Sequence, residues 1–353
     1  MKRVLALLIT VMIIAGIFAG CGKKAENDNL NETGTAQESS KANQDSTHND
    51  GGKIGPENSE NPTGADASKF PLTVKDDTGF EMTIEKKPER IASLTLGTDE
   101  MLLSLVDESR IIALSTLSEL EGTSNIVEKA KAFPNKISSQ SVEQIINLSP
   151  DLLFASSWTD ANLLEQLRDA GIVVYCYESP NSIDQQKDII RDVASLVGEE
   201  EKGEELIAWM DQKLKEVEDR LKGLKEDEKL SVLYYDSSTY TYGKNTSFDD
   251  IATRAGLVNV VSKAGLEGWP QISKEEIVNL NPDIIVVPSV SWDDQTPEAF
   301  AEGLKNDPGL KSTSAVKNNR VFIISDAHRS AISHYIVLGV EDIAKVAYPE
   351  LFK

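Results

Sequence analysis

Two glutamates hold the same place in two copies of one phrase. Ser141-Val-Glu143-Gln-Ile-Ile-Asn-Leu-Ser-Pro150-Asp151 recurs as Ser273-Lys-Glu275-Glu-Ile-Val-Asn-Leu-Asn-Pro282-Asp283, with seven of eleven positions identical. A carboxylate in the first turn of a helix meets the positive end of the dipole and gains a few tenths of a kcal/mol. That alone accounts for one such residue. Acids repeated at equivalent places in two lobes also make a two-point electrostatic contact for a two-fold symmetric partner. The sequence by itself permits both.

Other chemistry is scarce. Beyond His48 the chain has only His328 and His334, six residues apart, so they do not share a helix face as paired metal ligands would. His328 is left as a single axial ligand for the metal of a bound macrocycle. No GxSxG, P-loop or strand-borne GxGxxG occurs. Rings are the better resource. Trp158, Trp269 and Trp292, with Tyr240 and Tyr242, fall in or beside loops that follow strands, where open α/β sheets bind ligands. Each either stacks on a flat ligand or packs under its own loop. Arg329 and Lys244 are the main cations of those loops.

The elements that position these groups follow from the phrase. Ser141 and Ser273, with Gln144 and Glu276 three residues on, carry the capping-box pattern of a helix start. The helices must stop before Pro150 and Pro282. Leu152-Leu-Phe-Ala and Ile284-Ile-Val-Val then read as buried strands. Pro71 to Thr83 predicts a hairpin turning at Asp77-Thr-Gly79. Strands at 91–94, 110–114, 173–177, 230–235 and 321–324 alternate with helices at 98–106, 161–170, 183–197, 248–255 and 331–347, which implies mostly parallel sheets covered on both faces. Between the two copies, Leu206, Met210, Leu214, Val217, Leu221 and Leu224 recur every three or four residues and predict one long helix.

The expected fold is therefore α/β: two Rossmann-like lobes joined by a single long helix, with the ligand cleft between them. The boundaries are a signal peptide over 1–21, a tether over 22–69, a first lobe over 70–198, the connecting helix over 199–226 and a second lobe over 227–353. Lys2 and Arg3 precede an apolar stretch and then Phe18-Ala19-Gly20-Cys21, which resembles a lipobox and implies lipid attachment at Cys21. The polar tether has almost no large apolar side chain and cannot offset its ordering entropy by burial. The net charge of −22 excludes nucleic acid and anionic lipid as partners. With Cys21 lipidated, Cys176 is the one remaining thiol, so no disulfide is expected.

Pro88-Glu-Arg-Ile-Ala-Ser-Leu94, Thr98-Asp-Glu100, the two copies of Glu-x-Ile-x-x-Leu-x-Pro-Asp and the long central helix together resemble the substrate-binding proteins of ABC importers for iron–siderophores, haem and vitamin B12, over roughly residues 70–352. The resemblance implies a small lobe closure, no enzymatic activity, no intrinsic cofactor and a metal chelate as ligand. It implies an ABC permease dimer with its ATPase subunits as partner, and a lipid-anchored protein at the extracellular face of a single-membrane cell. It also implies one glutamate per lobe pairing with permease arginines, which falls on Glu143 and Glu275. Trp269-Pro270-Gln271 is similar to the vitamin B12-binding members, in which that Trp and a ring at the place of Tyr240 contact the corrin. The first lobe departs from them: Ser115–Glu119 and Ser138–Gln140 carry no matching aromatics. The ligand order implied is a corrinoid first, a ferric hydroxamate siderophore second and haem third. Trp158, Trp292, Tyr242, Arg329 and His328 complete the expected ligand contacts. A surface adhesion protein or an enzyme grown on the same frame are the other classes.

Overall fold

The repeated strands show how the molecule is layered. The computed structural model describes residues 69–291 and 293–353; Cys21 and Trp292 lie outside them. An antiparallel hairpin, β1 (Leu72–Lys75) and β2 (Glu81–Ile84), opens the described chain. The first lobe is a parallel sheet of β3 (Ile91–Ser93), β4 (Ile111–Ser115), β5 (Lys136–Ile137), β6 (Leu152–Ser156) and β7 (Val174–Tyr177), in the order β5-β4-β3-β6-β7. The second is a parallel sheet of β8 (Ser231–Tyr234), β9 (Val258–Asn259), β10 (Ile284–Pro288) and β11 (Val321–Ile324), ordered β11-β10-β8-β9.

Along β6, Leu152 and Phe154 enter a central core, while Leu153 and Ala155 enter an outer core of the first lobe. Along β10, Ile284 and Val286 enter the same central core, and Ile285 and Val287 an outer core of the second lobe. Both faces of both sheets are buried, which is why these strands read as unbroken apolar runs.

The central core continues through the helix Glu200–Leu221, whose Ile207, Met210 and Val217 are buried. The sequence predicts this helix as far as Lys225; it ends at Leu221, giving a strut of about 33 Å at 1.5 Å per residue. Arg110 fixes its start, donating to Val197 O (2.7 Å), Pro88 O (2.9 Å) and Glu199 Oε1 (2.6 Å). Gly203 is more than a weak point in the strut. A β-carbon there would sit 2.6 Å from Ala194 Cβ, so the glycine lets the helix Ile183–Val197 pack close.

Several expectations need correction. The terminal helix runs from Ile336 to Ala347 and does not begin at Ala331; the backbone of Ala331–Tyr335 is packed against the first lobe at Ile332, under Gly97, with Ser333 bonded to Glu100. The loop 325–330 contains a short helix, Asp326–Arg329. Ser273 closes the expected capping box with Glu276, but Ser141 makes no side-chain cap. Its Oγ accepts the Ser138 N–H at 3.1 Å, and its backbone (ψ 33°) has already left the extended conformation of a capping residue. Both phrase helices stop as predicted, at Leu148 and Leu280, each followed by one left-handed residue, Ser149 (φ 47°) and Asn281 (φ 45°).

Candidate functional site

Strand order reverses between β3 and β6 in the first lobe and between β8 and β10 in the second. Crevices open beyond the carboxyl ends of strands at such reversals, and ligands bind there. In the first lobe the chain leaving β3 and β6 supplies Leu94–Gly97 and Trp158. These line a cavity of about 240 Å³, with Glu100, Leu117 and Thr123 on the same side and Ser330, Ala331 and Ile332 reaching over from the second lobe. In the second lobe the chain leaving β8 and β10 supplies Asp236 and Val290, which line a cavity of about 250 Å³ floored by Tyr234, Tyr242, Asp326 and Arg329. Val290 also approaches Gly122 of the first lobe, so the two crevices meet at one seam. A larger cavity of about 630 Å³ lies by Leu230 and Arg320, at the amino ends of β8 and β11 and away from that seam.

The first-lobe crevice is apolar and hydroxyl-lined. Trp158 is 77% exposed, and its Nε1 donates to Ser179 Oγ at 3.2 Å, which holds the ring at the mouth. Glu100 lines its floor, and the adjacent Asp99, buried on the same helix Leu96–Leu105, lies behind it bonded to Ser115 of β4. Burial pushes the Asp99 carboxyl up to about 7, against hydrogen bonds from Ser115 that act the other way. Burial likewise raises Glu100, against bonds from Ser333 and Asn125.

The second-lobe crevice carries its cation already neutralised. Arg329 is buried and donates twice to Asp326 Oδ1, from Nε (3.2 Å) and Nη2. Its guanidinium lies 4.5 Å from the Tyr234 ring centre and 5.2 Å from that of Tyr242, and Nη1 donates to Tyr242 Oη at 3.0 Å. Tyr242 and Tyr234 pack edge to face at 4.7 Å. So Tyr242 and Arg329 are brought together, as a packed floor and not as free groups.

Tyr240 and Trp269 sit on a short irregular ribbon. Tyr240 bridges Gln271 antiparallel, Thr241 N–H donates to Pro270 O (2.9 Å) and Gly243 N–H to Gly268 O (2.8 Å). The ribbon leaves Trp269 54% and Tyr240 43% exposed, outside the lining of both cavities. The histidines diverge. His328 Nδ1 lies 2.6 Å from Asp342 Oδ2. His334 is buried edge-on to Trp209 (ring centres 5.7 Å), and burial pulls it down to about 4.

Glu143 and Glu275 are exposed, in the first turns of the helices Val142–Leu148 and Lys274–Leu280. Each helix runs back along its lobe and feeds β6 or β10 through a tight turn. Ile145 and Ile277 pack these helices onto the outer cores of the two lobes. Among the described residues neither carboxylate has a hydrogen bond or ion pair.

Sequence reasoning missed Glu100, Asn125 and Ser333 as members of the inter-lobe site, and the buried Asp99 beside them. The one signal was a pair of acids running directly into the apolar Met101-Leu-Leu, where a carboxylate is difficult to keep in water.

Comparison with known proteins places this geometry. A family model described as periplasmic binding protein matches residues 91–327. An uncharacterised ABC transporter substrate-binding lipoprotein of Bacillus subtilis (strain 168) is 27% identical over the whole of both chains. A cobalamin-binding protein of Halobacterium salinarum is 25% identical over 80% of this chain and 74% of its own. Among solved structures, a possible iron-binding (periplasmic solute-binding) protein from Staphylococcus epidermidis superposes with a TM-score of 0.65 at 25% identity, over 74% of this chain and all of the other.

Proposed function

The chain belongs to the periplasmic binding protein family, and we propose that, as the substrate-binding component of an ABC importer, it captures a bulky, weakly charged metal chelate, a corrinoid before a ferric hydroxamate or haem. The observation that carries the ligand class is the state of Arg329. Its charge is consumed by Asp326 and by two tyrosine rings, and the rest of the crevice linings is aliphatic, hydroxyl, acid and aromatic, with no second cation among the described residues. A triscatecholate iron complex carries several negative charges and would meet acids there; a neutral corrin edged with amides would meet acceptors and flat rings. The exposed Trp158 and the half-exposed Tyr240 and Trp269 suit stacking on such a plane. The cobalamin-binding relative supports the same class.

In this reading Glu143 and Glu275 meet the permease, each offering an unpaired carboxylate on the outer layer of its lobe. Cys21 holds the chain to the outer face of the membrane through lipid, with residues 22–69 as a tether between anchor and lobes. His328 Nδ1 is held by Asp342, which leaves Nε2 as the nitrogen that would meet the metal of a chelate.

A thermal-shift panel of cyanocobalamin, dicyanocobinamide, ferrichrome and haemin tests the ligand. A ligand at a hundred times its Kd stabilises the folded state by about 2.7 kcal/mol. The expected result is a rise with the two corrinoids. A rise with ferrichrome or haemin alone would transfer the assignment to that class, and no rise with any would remove the chelate reading.

A further inference from the structure

Glu100 is 1% exposed and belongs to the first lobe, yet one of its oxygens is held by the second. Ser333 Oγ, itself fully buried, donates to Glu100 Oε2. The other oxygen, Oε1, accepts from the Asn125 backbone N–H (2.9 Å) and from Asn125 Nδ2 (2.9 Å). The same Asn125 Nδ2 also donates across the seam to Ala327 O at 2.7 Å. One turn earlier in the helix, Gly97 presses on Ile332 so closely that a β-carbon would lie 2.2 Å from the Ile332 carbonyl oxygen. Behind this segment His334 and Tyr335 pack edge-on to Trp209 of the strut, at 5.7 and 6.4 Å.

Three features set this contact apart from ordinary lobe packing. Glu100 and Ser333 are buried, so breaking the bond between them leaves a donor and an acceptor away from water, at about 1–3 kcal/mol each, while the Asn125 bonds are partly buried. It forms where the chain abandons a helix: Ala331–Tyr335 stays irregular up to Ile336. And Gly97, Glu100, Ser330, Ala331 and Ile332 are themselves walls of the inter-lobe cavity. A substrate that reaches the back of the cleft therefore touches the groups that tie the lobes together.

We propose that Glu100, through Ser333 and through Asn125 and Ala327, is a clasp that fixes the angle between the lobes in the ligand-free protein, and that Glu100 is a positioning residue for whatever the cleft receives. Nothing in this depends on the identity of the ligand. The bonding pattern specifies what can replace the glutamate. A glutamine can still accept from Asn125 with its oxygen and donate to Ser333 Oγ with its amide, whereas an alanine can do neither. Ser333→Ala removes one of the two bonds that cross between the lobes, together with the hydroxyl's local bond from the Tyr335 N–H (3.3 Å), and leaves Glu100 bonded to Asn125 and Asn125 to Ala327.

The test uses ligand-free protein and two readouts. Backbone hydrogen exchange over residues 327–335 is compared with that over β10. Spin labels attached through cysteines introduced at the exposed positions Lys131 and Lys317, one in each lobe, report the inter-lobe distance distribution. Ser333→Ala and Glu100→Ala are expected to speed exchange in 327–335 by about tenfold, without changing exchange in β10, and to broaden the distance distribution. Glu100→Gln is expected to stay within about twofold of wild type in both. If Ser333→Ala leaves exchange and distances as in wild type, the bond sets nothing and the clasp is refuted. If Glu100→Gln opens the lobes as far as alanine does, the charge and not the bonding pattern is responsible, and the proposal as stated fails. Should Glu100→Ala fail to fold, Ser333→Ala and Glu100→Gln still decide the matter.

Discussion

Asp151 and Asp283, the last residues of the two phrase copies, do the same job in the two lobes. Each carboxylate ties its phrase to the lobe's first strand. Asp151 Oδ2 accepts the backbone N–H groups of Glu89 (3.0 Å) and Arg90 (3.2 Å), just ahead of β3. Asp283 Oδ2 accepts the N–H (2.9 Å) and hydroxyl (2.7 Å) of Ser231, the first residue of β8. The phrase is thus a construction unit: a short helix, a left-handed stop, a proline, a staple and a strand paired with the staple's target.

The staple predicts an asymmetric stability effect. Asp283→Ala strips two partly buried donors and should cost about 1–3 kcal/mol. Asp151→Ala exposes its two donors to water that can replace it, and should cost about 1 kcal/mol or less. Urea denaturation of the two variants checks this; equal costs would mean the outer bonds are not carrying the difference.

The phrase is also why so much of the architecture was legible. Its proline, its capping serine and its strand are local signals, and β6 and β10 emerge where the sequence places them. The strut and the hairpin were readable for the same reason. What was not legible depends on contact between distant parts of the chain. Ser141 has the right type for a cap but spends its hydroxyl on Ser138. Ala331–Tyr335 precedes a strongly apolar helical run, yet it stays irregular where it meets Gly97 and Glu100, more than 200 residues away. The rings named from sequence split in the same way: Trp158 stands at a cavity mouth, while Tyr242 is spent under Arg329, because exposure is decided by neighbours that periodicity does not reveal.

Asp99 predicts a pH dependence. It is fully buried, accepting the Ser115 N–H at 3.1 Å and the Ser115 hydroxyl, and burial raises it from 3.8 to about 7. Between those values the folded chain holds a proton that the unfolded chain has released. Stability from this group is therefore greatest on the acid side and is lost as pH rises, by about 1.4 kcal/mol per pH unit. His334, lowered by burial from 6.5 to about 4, acts in the opposite sense over much of the same range. Comparing wild type with Asp99→Asn cancels the histidine. The stability difference should decline through the interval from about pH 4.5 to 6.5 and level off above about 7.5. A difference that stays flat would mean Asp99 is ionised throughout.

Exposed rings predict a loss of affinity without a loss of fold. Trp158→Ala and Trp269→Ala remove side chains that are 77% and 54% exposed, so melting temperature should barely move. For whichever chelate the thermal-shift panel selects, each should weaken binding by about 2 kcal/mol if the ring is a stacking anchor. Calorimetric titration reads this directly. Unchanged affinity for one of them would assign that ring to the surface of its own loop.

Glu143 and Glu275 predict a failure of delivery with capture intact. Both acids are exposed, both stand in the first turn of a helix packed on the outer core of its lobe, and neither has a partner among the described residues. The dipole accounts for only a few tenths of a kcal/mol of favourable interaction, so Glu→Lys at either site should leave the fold nearly as stable as before. Ligand affinity should also hold, because the two helices cover the outer layers of the lobes and neither acid lines a cavity. Contact with a two-fold permease is different. A reversed charge replaces an attraction by a repulsion at each of two matched points, and like-charge juxtaposition at an interface costs several kcal/mol. Each single variant should therefore lose complex formation and uptake, and the double variant should lose more than either. The measurement is paired: ligand affinity of the isolated protein, and uptake by liposomes carrying the importer. Weak ligand binding by the single variants would move these carboxylates into the cleft. Normal uptake by the double variant would reduce them to helix-start residues, and the repeat would then be a construction unit alone.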